Sequence, residues 1–177
     1  MAGAAHKSWW GPRIWRILHC LAELSDRPGC VVGWRHVIQE TAAVLPCDMC
    51  REHFLTSMRS ERLTAGSVRH MLWSAHTGSR QAERAEGNLP ESELSAVYGY
   101  GGDRGAVAAE IGRLVTEIVD AFRSQHVLDR LRIGHLVDWE RVVRRLAREL
   151  LMPVPSVPSG PASSRGRGRG RGTGRAR

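Results

Sequence analysis

From Trp9 to Leu151 apolar residues recur at intervals of three and four, and almost no segment alternates with period two. That period confines the chain to helices packed on helices, because a strand needs alternation to present one face to a core. Residues 9–24 set Trp10, Ile14, Leu18 and Leu21 on one stripe, with Trp15, His19 and Ala22 on a second beside it, as in a helix buried on more than one side. Pro28, Gly29 and Gly33 break the pattern. A second helix is expected from about Trp34 to Leu45, on Val37, Ile38, Thr41, Ala42 and Leu45.

Pro46 punctuates the chain and is tolerated in the first turn of a new helix, where its missing N–H has no partner to lose. A third helix is therefore expected to about Arg62, with Cys47 and Cys50 on its opening turn. A fourth is expected over about Ser67–Glu83, on Val68, Met71, Leu72 and Ala75 with Trp73, His76 and Arg80 beside them, and a short fifth over Glu91–Tyr98. Short connections favour an antiparallel bundle, so the fold class is all-α, a four-helix bundle with a short fifth helix. Gly99, Gly101, Gly102 and Gly105 mark a linker or hinge.

Beyond that linker Ala106–Phe122 and residues 137–151 read as a helical pair. The second carries Arg141, Arg144, Arg145 and Arg148 opposite its apolar side, a face best read as solvated. The domain organisation expected is thus a bundle over 8–102, a helical extension over 103–152 and a tail over 153–177. The tail is rich in Pro, Ser, Gly and Arg, and cannot bury enough surface to offset chain entropy, so it is expected to be disordered.

The charge follows the same division. The whole chain carries +8, but residues 165–177 hold six Arg and no acid, and without them 20 cations face 18 anions. The basic character belongs to the tail, whose alternating Arg-Gly suits weak, salt-sensitive contact with nucleic acid. No apolar run approaches the roughly 20 residues needed to span a bilayer. Residues 1–8 lack the apolar stretch of a secretion signal, so no cleaved signal is expected.

Chemistry concentrates at Cys47-Asp48-Met49-Cys50. Two thiols at this spacing on a helix start can close a small disulfide, and the helix N-terminus stabilises a thiolate through its unpaired N–H groups and dipole. His53, a further turn along, can handle a proton or touch a cofactor. The competing chemistry is zinc held by Cys47, Cys50, His53 and one of Cys20 or Cys30, although no second close-spaced ligand pair is present. Trp15 with His19, and Trp73 with His76, supply four polar-tipped rings, enough for a flat slot that takes an aromatic cofactor between helices.

These residues together carry a resemblance. Trp10-Gly11-Pro12 with Trp15, Leu18 and His19, then Leu45-Pro46-Cys47-Asp48-Met49-Cys50-Arg51-Glu52-His53-Phe54, then Leu72-Trp73-Ser74-Ala75-His76, resemble the Erv/ALR family of FAD-dependent sulfhydryl oxidases, especially the compact versions of large DNA viruses. The resemblance covers about residues 8–100. It implies a bundle holding FAD, a substrate dithiol that attacks Cys47, and a Cys50 that faces the flavin. Electrons then pass to molecular oxygen, giving hydrogen peroxide, while protein dithiols become disulfides.

It also implies that Gly11, Trp15, His19, Cys50, His53, Trp73 and His76 surround FAD. The fourth-helix signature departs from the family at Thr77-Gly78-Ser79-Arg80, where Arg80 is expected to contact a phosphate. Cys20 and Cys30 are expected to staple the loop after the first helix as a structural disulfide, and the extra helices either to pack on the bundle or to mediate homodimerisation. The setting expected is intracellular, in an infected cell's cytoplasm or nucleus or in a virion. The alternative function is a non-enzymatic helical adaptor, zinc-stapled or not, that binds nucleic acid through the Arg-Gly tail.

Overall fold

The computed structural model describes residues 6–25, 30–59, 63–64, 67–80 and 89–152. Among these the chain forms seven α-helices and no strand: α1 Lys7–Leu24, α2 Val31–Val44, α3 Asp48–Arg59, α4 Val68–Arg80, α5 Leu94–Tyr98, α6 Arg104–Ser124 and α7 Arg130–Leu151. The all-α expectation holds. The ends expected for the third helix at Arg62 and the fourth at Glu83, the break at Gly87 and the whole tail over 153–177 lie outside the described residues.

Local chemistry explains the helix boundaries. Pro46 bars the residue before it from helical dihedrals, and Leu45 accordingly stands extended at φ −64°, ψ 122°, ending α2 at Val44. The chain re-enters a helix at Asp48, with Cys47 just before α3 and its Sγ accepting the Cys50 N–H at 3.2 Å. Asp103 and Asp129 cap α6 and α7, their carboxylates accepting from the N–H groups of Ala106 and Arg132 at 2.9 Å each.

The segment read as a linker is a tight turn. Residues 100–102 form a single 3-10 turn in which Gly101 and Gly102 take φ of 64° and 89°, values that a side chain resists. It delivers the chain directly into α6, which lies along α1, while α7 lies along α2. The helices of the 103–152 extension thus pack on the bundle and share one continuous core with it, in which Trp34, Phe122 and Trp139 are among the largest fully buried side chains. The indoles of Trp34 and Trp139 are satisfied, Trp34 Nε1 donating to Ser25 Oγ at 2.8 Å and Trp139 Nε1 to Thr41 Oγ1 at 3.1 Å. Gly33 lets α2 approach α7, since a Cβ there would come within 2.8 Å of Leu146 Cδ1.

Polar ties reinforce the same seams. Arg104 donates to the carbonyls of Leu24 at 3.2 Å and Leu150 at 2.7 Å, joining the ends of α1 and α7 to the start of α6. Arg13 pairs with Glu117 at 2.9 Å, and Arg16 with Glu110 at 2.8 Å. The basic face of α7 is largely paired along its own helix, Arg141 with Asp138, Arg144 with Glu140 and Arg145 with Glu149, as a solvated face should be. No helix among the described residues is long and apolar enough to cross a membrane.

Candidate redox and ring site

Cys47 and Cys50 are joined as a disulfide at the head of α3. Both are half-buried against the core. The Cys50 N–H that Cys47 Sγ accepts is one of the unpaired donors of the helix N-terminus, so a thiolate formed at Cys47 meets both that hydrogen bond and the positive end of the α3 dipole. Asp48 and Met49 between the cysteines are exposed.

One turn along α3 Phe54 turns into the core, and its ring lies 5.8 Å from that of Trp15 on α1. Trp15 in turn stacks on His76 of α4, with centroids 4.5 Å apart and planes 9° from parallel. His76 Nδ1 and His19 Nε2 are hydrogen-bonded at 3.1 Å, one ring donating and the other accepting. His19 stacks on Tyr98 at 4.7 Å and 15°. Side chains from α1, α3, α4 and α5 therefore meet in one cluster of rings that begins a helical turn from the disulfide.

Trp15, His19 and His76 stand where the sequence put them, in one cluster. Trp73 borders it, half-buried, with its Nε1 donating to the Leu89 carbonyl at 2.9 Å. Gly11 is buried one turn before Trp15, but a Cβ on it would meet nothing nearer than Lys7 Cγ at 3.8 Å, so packing does not itself demand glycine there. His53 is exposed on α3, and the position facing the rings belongs to the next residue, Phe54. Arg80 ends α4, and its side chain lies outside the described residues.

The Cys20–Cys30 staple is also corrected. Both residues are buried but are not bridged to each other. The physical reason is direction: Cys20 turns toward α5, its Sγ 3.8 Å from the Tyr98 carbonyl, while Cys30 sits at the start of α2. Burial pushes the Cys20 thiol up to about 11, which leaves it a poor nucleophile. No cluster of three or more His, Cys, Asp and Glu able to hold a metal ion occurs among the described residues.

Two further participants were not singled out from the sequence, Phe54 and Tyr98. Phe54 was legible in principle, as the apolar residue four positions after Cys50 on the same helix. Tyr98 was not, because its place depends on how α5 folds back across α1.

The donor set fits a flat heteroaromatic cofactor such as FAD in kind, offering indole and phenol faces for stacking and imidazole nitrogens for hydrogen bonds. The rings are closed on one another, however. The cavity bounded by His19, Trp73, His76, Thr77, Leu94 and Tyr98 holds about 20 Å³, room for about one water. The Trp15 and His76 planes must part for a third ring to lie between them. The chain matches no family model, no curated protein and no solved structure.

Proposed function

We propose that the chain is a thiol oxidase that forms disulfides in other proteins, with Cys47 and Cys50 as its redox pair and FAD as its cofactor. The observation that carries this reading is the Cys47–Cys50 disulfide at the head of α3, one turn from Phe54, whose ring meets Trp15. Trp15, His19 and His76 are the residues that would hold the cofactor, with Trp73 at the border. FAD, when bound, supplies a two-electron acceptor that molecular oxygen reoxidises with release of hydrogen peroxide.

The chain's own part is thiol–disulfide exchange. A substrate thiolate attacks Cys47 Sγ, forming a substrate–Cys47 disulfide as the Cys47–Cys50 bond breaks and Cys50 leaves as a thiolate. The second substrate thiol, deprotonated, attacks the substrate sulfur of that mixed disulfide, and Cys47 leaves as a thiolate. The substrate has lost two electrons and the pair has gained them. The Cys50 N–H stabilises Cys47 as a leaving group, and the His19–His76 pair holds a proton inside the ring cluster.

Visible absorption of the purified protein, followed by acid release of any chromophore, tests the assignment. A flavin band that dithiothreitol bleaches and air restores is the expected result. A folded, colourless protein that takes up no added FAD, and that produces no peroxide from dithiothreitol, overturns it.

A further inference from the structure

The loop that carries the cysteines is held from the far end of the chain. Arg132, in the first turn of α7, reaches Asp48 Oδ1 with one Nη at 2.6 Å and the carbonyls of Leu45 and Pro46 with the other, each at 3.4 Å. The Pro46 carbonyl belongs to the peptide bond that Cys47 completes. The Arg132 side chain is 22% exposed, and Asp129 Oδ2 stands 3.7 Å from its Nε. The same Asp48 oxygen also receives Arg51 Nη2 at 2.8 Å.

This arrangement answers an electrostatic difficulty set by the sequence. An acid between two cysteines places a negative charge beside sulfurs that must ionise, and like charge raises a thiol pKa. The hydrogen bond and charge of Arg132, with the charge of Arg51, hold the Asp48 carboxyl below its ordinary range, so it is ionised wherever a thiol titrates and its balance rests on these two cations. Asp48 and Arg51 on α3, with Asp129 capping α7 and Arg132 in its first turn, sum to zero, and without Arg132 they sum to −1. Glu52 and His53 follow on α3, exposed, and the Glu40–His135 pair lies one turn further along α7.

We propose that Arg132 is a positioning residue of the Cys47–Cys50 couple, holding the backbone that leads into Cys47 and balancing Asp48 so that the reduced pair carries a thiolate at Cys47. The inference rests on reading that pair as the redox centre. It gives the α6–α7 extension a part in the chemistry as well as in the core, because the fork of a guanidinium serves two carbonyls and a carboxylate at once.

The test uses the full chain and needs neither flavin nor oxygen. The pH dependence of iodoacetamide alkylation at Cys47 is read on the reduced protein by peptide mass, and the pair is equilibrated at pH 8 against reduced and oxidised glutathione. R132Q should raise the pH of half-maximal alkylation by about 0.5–1 unit, and should retain its disulfide at a roughly threefold to tenfold more reducing glutathione ratio. R132K, which keeps the charge but not the fork, should fall between R132Q and wild type. R132Q/D48N should return close to wild type.

Alkylation and glutathione profiles of folded R132Q that superimpose on wild type overturn the inference. Where R132Q does not fold, D48N alone decides: its half-alkylation pH should fall, and an unchanged value overturns the proposal. A wild-type pair that glutathione can neither reduce nor reoxidise overturns the redox reading itself. A cycling wild type with an unmoved R132Q removes only the role of Arg132.

Discussion

Trp15 and His76, 61 positions apart in the chain, lie face to face with their ring centroids 4.5 Å apart and their planes 9° from parallel. The stack joins α1 to α4, and the His19–His76 hydrogen bond locks the imidazole from its edge. His76→Ala should therefore cost about 2 kcal/mol of stability, from one stacked pair and one buried hydrogen bond. Urea unfolding followed by circular dichroism measures the loss. The same variant should no longer take up FAD, whereas a variant that binds FAD as wild type does would remove His76 from the cofactor site.

Cys47→Ser and Cys50→Ser should each abolish turnover while the protein remains folded, because exchange needs both sulfurs and the ring cluster is made by other residues. Peroxide production with dithiothreitol as substrate is the readout, alongside the flavin-to-protein absorbance ratio. Full activity in either variant would refute the assignment of this pair.

Acid should loosen the seam between α1 and α6. Hydrogen bonds from Arg113 and then Arg16, with the charges of both, hold the Glu110 carboxyl down to about 2 against an ordinary 4.5. Because the folded value is the lower one, its stabilisation is complete above about pH 4.5 and is lost as pH falls toward 2. Arg113 is well exposed, so solvent screens part of the effect. Melting temperatures of wild type and Glu110→Gln should differ at pH 6 and converge near pH 2, and a constant gap across that range would contradict this account.

The helices after Gly102 should be indispensable to folding. Trp139 is fully buried, and its indole N–H is bound to Thr41 of α2. Trp139→Ala should cost about 3–5 kcal/mol by leaving a cavity at the α2–α7 seam. Chemical denaturation reads the loss directly, and a change below 1 kcal/mol would mean that α7 is only loosely attached.

Cys20 should resist alkylation until the protein unfolds, since burial both hides it and raises its thiol to about 11. Iodoacetamide labelling of unreduced protein, with and without guanidinium, measures this by peptide mass. A recovered Cys20–Cys30 peptide would contradict the structure.

Much of this architecture is legible in local pattern. The helical period from Trp9 onward excludes sheets, Pro46 dictates where α2 must stop, and Trp15, His19 and His76 mark themselves as polar-tipped rings on apolar stripes. Such features depend on neighbours within one or two turns, which the linear order of residues specifies. Which α3 residue meets the rings is not a matter of spacing alone: Phe54 is turned inward against Trp15, while His53, beside it in sequence, is exposed.

The remainder belongs to long-range packing. The glycines at 99–105 read as a hinge because backbone freedom looks alike in a linker and in a tight turn; the apolar faces of α6 and α7, buried on α1 and α2, decide for the turn. Cys20 and Cys30 are close in sequence but are not bridged, Cys20 turning toward the Tyr98 carbonyl of α5. Arg132, one of many arginines in the chain, meets Asp48 across 84 positions only because α7 returns along α2 to the head of α3. Composition and period select the kind of element a segment becomes, but which side chains finally meet depends on how whole helix faces bury one another, a property of the assembled core.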